Sequence, residues 1–154
     1  MSQIEHAHES DIPELVVLNN RFAPQGLTLA RSQSFAFAHL ADYRVLREAD
    51  GGIVGCVALD EYSPSIVELC SLAVSPDAQG LGHGKRLIAA AEQLATVRGY
   101  AELFAVSFSD DLFLQLGWGR VPLQKFPEKI SRYTTLDKTE IEVGEKHCFS
   151  KKLA

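Results

Sequence analysis

The segment Gln79-Gly80-Leu81-Gly82-His83-Gly84-Lys85 lies between an apolar, strand-like run ending at Val74 and a stretch with helical periodicity, and it constrains the fold more than any other part of the chain. After Pro76, the residues Leu87, Ile88, Ala91, Leu94 and Ala95 recur at helical spacing, with Lys85, Arg86, Glu92 and Gln93 on the opposite side. Gly99 closes that helix as a C′ glycine. A strand that turns through glycines into a helix leaves first-turn N–H groups without intrahelical acceptors, and the helix dipole adds positive character there. Such a turn suits an anion, to which Lys85 or Arg86 could add a side chain. A Walker A loop would need Gly at Gln79 and Ser or Thr at Arg86, and a dinucleotide fingerprint would need Gly at Lys85, so both fail on spacing. A connection without a ligand stays open at this point.

The rest of the chain predicts an α+β domain with a mixed, mostly antiparallel central sheet flanked by helices, and one domain over 1–154. A strand is expected over Ile4–His8, then a helix capped by Ser10 and carrying Ile12, Leu15, Val16 and Leu18. A weaker helix covers Ser32–Leu40. The runs Tyr43–Ala49 and Ile53–Leu59 flank Asp50-Gly51-Gly52, a hairpin turn, and Ile66–Val74 is a third strand. Ala101–Val106 reads as a buried strand reached by a crossover, Asp110–Leu116 as a helix and Lys146–Leu153 as a final strand. Pro122–Gly144 lacks periodicity and is a candidate substrate loop.

Composition narrows the function. With 46% hydrophobic residues in 154, the chain can bury a sizeable core. A net charge of -5 argues against a nucleic-acid binder, which relies on excess Lys and Arg. No run approaches a membrane span, so a cytoplasmic protein with a small-molecule partner is expected, without nucleic acid or membrane; a homodimer stays open. Cys56, Cys70 and Cys148 are odd in number and widely spaced, which fits reduced core thiols rather than disulfides or a metal knuckle. His6 and His8 share a strand face but lack a third ligand, so no metal is expected.

Leu72-Ala73-Val74-Ser75-Pro76 followed by Gln79-x-x-Gly82-x-Gly84 resembles the acyl-CoA signature of the GNAT N-acetyltransferases. The resemblance implies acetyl-CoA as co-substrate. The backbone of Leu72, Ala73 and Val74 would then hold the pantetheine arm and acetyl carbonyl. The main-chain N–H groups of Gln79, Gly80, Leu81, Gly82, His83, Gly84 and Lys85 would hold the pyrophosphate. Val67 to Val74, Glu102-Leu103-Phe104, Leu116-Gly117-Trp118, Leu29-Ala30-Arg31-Ser32 and Phe126-Pro127-Glu128-Lys129-Ile130 are similar to amino-acid N-acetyltransferases of the N-acetylglutamate synthase type. The basic residue plus hydroxyl that this type carries ahead of its final strand is replaced by Gly144-Glu145-Lys146-His147, which leaves the acceptor open.

Acetyl transfer to a primary amine needs a base, because an amine of pKa near 8 to 10 is mostly protonated at neutral pH. Glu68 is the candidate, against the alternative of a solvated strand carboxylate; the Val74 N–H could polarise the thioester carbonyl. Phe113 stands where the resemblance implies a tyrosine acid and reads as core, leaving Ser107, Ser109 or water to assist the thiolate. A Cys70 acetyl-enzyme is disfavoured, since nothing beside it in sequence lowers its pKa, and His147 and Cys148 point to opposite faces of a strand. His83 reads as solvated. Arg31 is the first candidate for an acceptor carboxylate, with Lys125, Lys129 and Arg132 behind it as expected surface charges. The expected activity is direct transfer from acetyl-CoA to an amino acid or similar amine. The alternatives are a protein, polyamine or drug amine as acceptor, and a CoA-binding sensor without turnover.

Overall fold

The computed structural model describes residues 2–25, 27–129 and 146–153. Among these, strands β1 (Gln3–His6), β2 (Tyr43–Arg47), β3 (Ile53–Glu61), β4 (Ile66–Val74), β5 (Glu102–Ser107), β6 (Gly119–Val121) and β7 (His147–Lys152) form a sheet of order β1-β2-β3-β4-β5-β7-β6. The helices are α1 (Ile12–Asn20), α2 (Gln33–Ala38), α3 (His83–Val97) and α4 (Asp110–Gln115). Neighbouring strands pair antiparallel except β4 and β5, which are parallel and joined through α3. This is the expected mixed, mostly antiparallel sheet. β6 is an addition: it is too short to show an alternation and, among the described residues, its strand partner is β7.

The two faces carry separate cores. Leu87, Ile88, Ala91 and Ala95 of α3 pack on Val57, Leu59, Val67, Leu69, Leu103 and Ala105, joined by Phe113, Trp118 and Phe149. On the other face Leu15 and Leu18 of α1 and Ala36 of α2 pack on Tyr43, Val45, Cys56, Ala58 and Ala73. Each fully buried Leu or Ile contributes roughly 1.5 to 3 kcal/mol, so α3 is fastened by its apolar stripe rather than by helix propensity.

The alternation along β4 changes phase. Val67 and Leu69 face α3, but so do Leu72 and Val74, because the ladder with β3 slips one residue between Cys56↔Ala73 and Ala58↔Cys70. The extra residue makes a β-bulge. Ser71 in that bulge has φ 53°, a left-handed conformation that costs a residue with a Cβ about 1 kcal/mol or more. Its carbonyl accepts the Cys56 thiol (3.2 Å) and its hydroxyl lies 3.4 Å from the Tyr43 hydroxyl.

Element ends differ locally from the sequence expectation. Ser10 does not cap α1; it lies in a 3-10 turn (Glu9–Asp11), and the Asp11 carboxylate reaches back to the His8 N–H at 2.8 Å. Asp11 is available for this because Arg47 neutralises it, with Nη2 to Oδ2 at 2.7 Å, which also holds its carboxyl below the usual range. Ser32 does cap α2, accepting the Phe35 N–H at 3.0 Å. Residues 130–145, most of the Pro122–Gly144 stretch, lie outside the described residues; its start forms a 3-10 turn (Leu123–Lys125).

Candidate active site

β4 and β5 run together only at Ile66↔Glu102, Val67↔Leu103 and Glu68↔Phe104. β4 then continues to Val74 and β5 to Ser107 without pairing, so the strands part beyond Glu68. The wedge between them is a cleft of about 350 Å³, lined on one side by Leu69 to Val74 and on the other by Ala105, Val106 and Ser107. Ser75 N–H donates to the Val54 carbonyl at 2.7 Å, which makes Gly55↔Val74 the non-hydrogen-bonded pair of the antiparallel ladder. The N–H and C=O of Val74 therefore turn away from β3, toward the side that β5 has left. The Val74 carbonyl is taken by Gln79 Nε2 (3.0 Å), which ties the glycine turn to the strand.

The turn forms the mouth of the cleft. Gly80 and Gly82 both have φ 82°, and an added Cβ at either meets nothing within 4 Å, so glycine is there for backbone conformation and an open approach. Gly82 is the N-cap of α3, and the N–H groups of His83, Gly84 and Lys85 lack intrahelical acceptors. Ala78, Gln79, Gly80, Gly82, His83 and Gly84 line the cleft. Two side-chain expectations change. His83 is buried rather than solvated, its Nδ1 3.3 Å from Arg86 Nη1. Arg86 is turned to the N-terminus, donating to the Ser2 hydroxyl (2.8 Å) and carbonyl (3.1 Å) as well as contacting His83. Lys85 is exposed.

Glu68 stands at the apex of the wedge and is 3% exposed, which excludes the solvated carboxylate. Its Oε1 accepts from the Tyr62 hydroxyl (2.9 Å) and Lys129 Nζ (3.1 Å), and its Oε2 from Lys129 Nζ (2.8 Å). Lys129 is the main correction to the sequence reading: it is 4% exposed and paired with Glu68, not a surface cation. The signal was in the spacing. Phe126 stacks on Phe104, the ladder partner of Glu68, with ring centroids 3.9 Å apart, and a residue three further on in a helical turn shares its face. Lys125 remains at the surface, paired with Glu102 at 2.5 Å; Arg132 lies outside the described residues.

Cys70 follows on the Glu68 face. Burial first, then the Glu68 carboxylate, push its thiol up to about 12, against the pull of Arg31 and Lys129. A thiol so shifted is a poor nucleophile, and Cys56 and Cys148 are likewise pushed up to about 12 by burial. Arg31 is held rigidly: its N–H donates to Asn20 Oδ1 and its carbonyl accepts Asn20 Nδ2, both at 2.8 Å. Its guanidinium lies 4.2 Å over the Phe35 ring, and among the described residues its buried Nε has no hydrogen-bond partner. Lys146 is a second cation near the pair; burial, then Lys129, lower its affinity for a proton, and Glu68 partly restores it.

Ser109 is exposed at the N-cap of α4 and lines the cleft, its N–H donating to the Ser107 hydroxyl at 3.0 Å. Phe113 is 1% exposed, edge-on to Trp118 (4.9 Å) and stacked on Phe149 (5.3 Å). His147 and Cys148 diverge, His147 pairing with Asp110 (2.8 Å) while Cys148 packs with Phe104 and Phe126. Among the described residues no group of His, Cys, Asp and Glu could hold a metal.

Residues 12–118 match the model of the acetyltransferase (GNAT) family. An amino-acid acetyltransferase of Neisseria meningitidis serogroup A is 35% identical over 127 residues, which are 81% of this chain and 29% of the relative. An uncharacterized N-acetyltransferase of Chlorobaculum tepidum is 27% identical over 132 residues, covering 86% of this chain and 84% of that protein. N-acetylglutamate synthase from Neisseria gonorrhoeae, solved with coenzyme A and N-acetyl-glutamate, superposes with a TM-score of 0.85 at 29% identity, over 100% of this chain and 35% of that one.

Proposed function

The chain belongs to the acetyltransferase (GNAT) family, and from that premise we propose that it transfers acetyl from acetyl-CoA directly to a primary amine of an amino acid or similar small molecule. The observation that carries this is the wedge between β4 and β5, with a helix N-terminus at its mouth and a carboxylate at its apex. The residues fit the coenzyme. The parted edge of β4 offers the Val74 N–H to an amide-bearing arm, with Leu72 and Ala73 lining the cleft beside it, and the Gln79–Lys85 turn offers N–H groups to a diphosphate.

The coenzyme supplies an acetyl thioester. Glu68 takes the proton of the acceptor ammonium, directly or through one water, so that the amine attacks as a neutral nucleophile. The Val74 N–H stabilises the negative charge that gathers on the carbonyl oxygen. The C–N bond forms as the C–S bond breaks, and the second proton, lost by the attacking nitrogen, passes to the sulfur through Ser109 or water, because Phe113 has no hydroxyl to relay it. Arg31 holds the carboxylate of the acceptor, and Lys146 adds a second positive charge. The free thiols Cys56, Cys70 and Cys148 support work in the cytoplasm.

Glu68→Gln is the test. We expect kcat to fall by about 10²- to 10⁴-fold, the usual contribution of a positioned base, with CoA affinity by calorimetry unchanged. Normal turnover in this variant across pH would remove Glu68 from the mechanism. The second reading, a CoA sensor without turnover, draws on the buried Phe113; it gains if CoA binds and no amine is acetylated.

A further inference from the structure

A buried carboxylate meant to accept a proton needs an open lone pair, a fixed orientation and some compensation for its charge. A carboxylate offers about four lone-pair sites. Among the described residues three contacts engage Glu68, from Tyr62 and Lys129 to Oε1 and from Lys129 to Oε2, which leaves about one site, on Oε2. The next residue along β4, Leu69, is where the cleft lining begins. Both donors are themselves braced. The Tyr62 ring lies edge-on to Phe104 at 5.1 Å, Phe126 stacks on the same ring, and the Lys129 N–H donates to the Phe126 carbonyl at 3.0 Å. Asp60, the β3 partner of Glu68, presents a second acid on this face. A cation at Lys129 therefore also limits repulsion between two neighbouring carboxylates.

We propose that Lys129 is a positioning residue for acetyl transfer: clamped across both oxygens of Glu68, it aims the remaining lone pair of the base at the acceptor end of the cleft. The inference rests on the reading of Glu68 as the base. Lys129 does not touch the reacting atoms; its effect passes through Glu68, and this sets it apart from a lysine that only holds the 123–129 segment in place.

A double-mutant cycle separates these roles. The variants are Lys129→Met, Glu68→Gln and the two combined, each assayed for acetylated acceptor and for CoA binding by calorimetry. We expect Lys129→Met to lower kcat about tenfold to a hundredfold, within the loss caused by removing the base, with CoA affinity intact. The double variant is expected to be no slower than Glu68→Gln alone, since Lys129 has nothing left to position. Wild-type kcat in Lys129→Met, or losses that multiply in the double variant, would overturn the inference while leaving Glu68 as base. Normal kcat in Glu68→Gln would overturn both. Should the lone buried carboxylate unfold Lys129→Met, so that the variant fails to bind CoA, the comparison is between Glu68→Gln and the double variant, which buries no lone charge. Equal rates there support the positioning role and a further loss contradicts it.

Discussion

Among single residues, Arg31 carries the strongest statement about the acceptor. Its backbone is clasped by Asn20, its guanidinium lies 4.2 Å over the Phe35 ring and, among the described residues, its buried Nε has no partner, so the cation is preorganised for a carboxylate. A hydrogen bond to a charged group contributes about 1.5 to 3 kcal/mol, so Arg31→Ala should raise the acceptor KM about tenfold to a hundredfold. CoA affinity should stay as it is. Steady-state kinetics at varied acceptor check this; an unchanged KM would send the carboxylate elsewhere, with Lys146 the next candidate. As a candidate, Arg31 stood out in the sequence only through a local match of pattern, and its role toward the acceptor is a proposal. Its clasp by Asn20 spans eleven positions and has no local signature.

Among the elements, the close approach of α3 to β3 fixes where the helix N-terminus sits. A Cβ on Gly55 would lie 2.9 Å from Leu87 Cδ1 and 3.2 Å from Leu46 Cβ, and both leucines are fully buried. Gly55→Ala should therefore cost about 1 to 3 kcal/mol, seen as a lower urea midpoint, and should weaken CoA binding by moving α3. A wild-type midpoint would mean that the helix can give way freely. Long periodic elements such as α3 and the β2–β3 hairpin were legible because apolar spacing states both type and buried face. The bulge at Ser71 was not: its signature is a phase change from Val67 and Leu69 to Leu72 and Val74, in a run where both faces are apolar. β6 was missed because three residues cannot show an alternation.

For the molecule as a whole, the wedge arises because β4 is shared between two partners of different reach. β3 pairs along it past the bulge to Val74, while β5 leaves it after Phe104, its other edge staying paired with β7 from Glu102 through Ser107. The candidate site is thus a place where the sheet declines to close, with the proposed coenzyme end and acceptor end on one strand. The glycine turn, the proposed coenzyme end, was visible in the sequence by its spacing. The proposed acceptor end was largely hidden, because Glu68, Lys129, Lys146 and Arg31 come from four separate segments and are brought together only on folding. The chain covers 29% of the length of the Neisseria meningitidis relative, so its acceptor has to be found on the chain itself. The decisive assay is release of CoA from acetyl-CoA by the wild-type chain against a panel of free amino acids and other amines, with the acetylated product identified and CoA binding measured in parallel. Release stimulated by carboxylate-bearing amines, with stoichiometric N-acetylated product, is the expected result. Tight CoA binding with no acetylated product from any amine would contradict the transferase reading and leave a CoA sensor in its place.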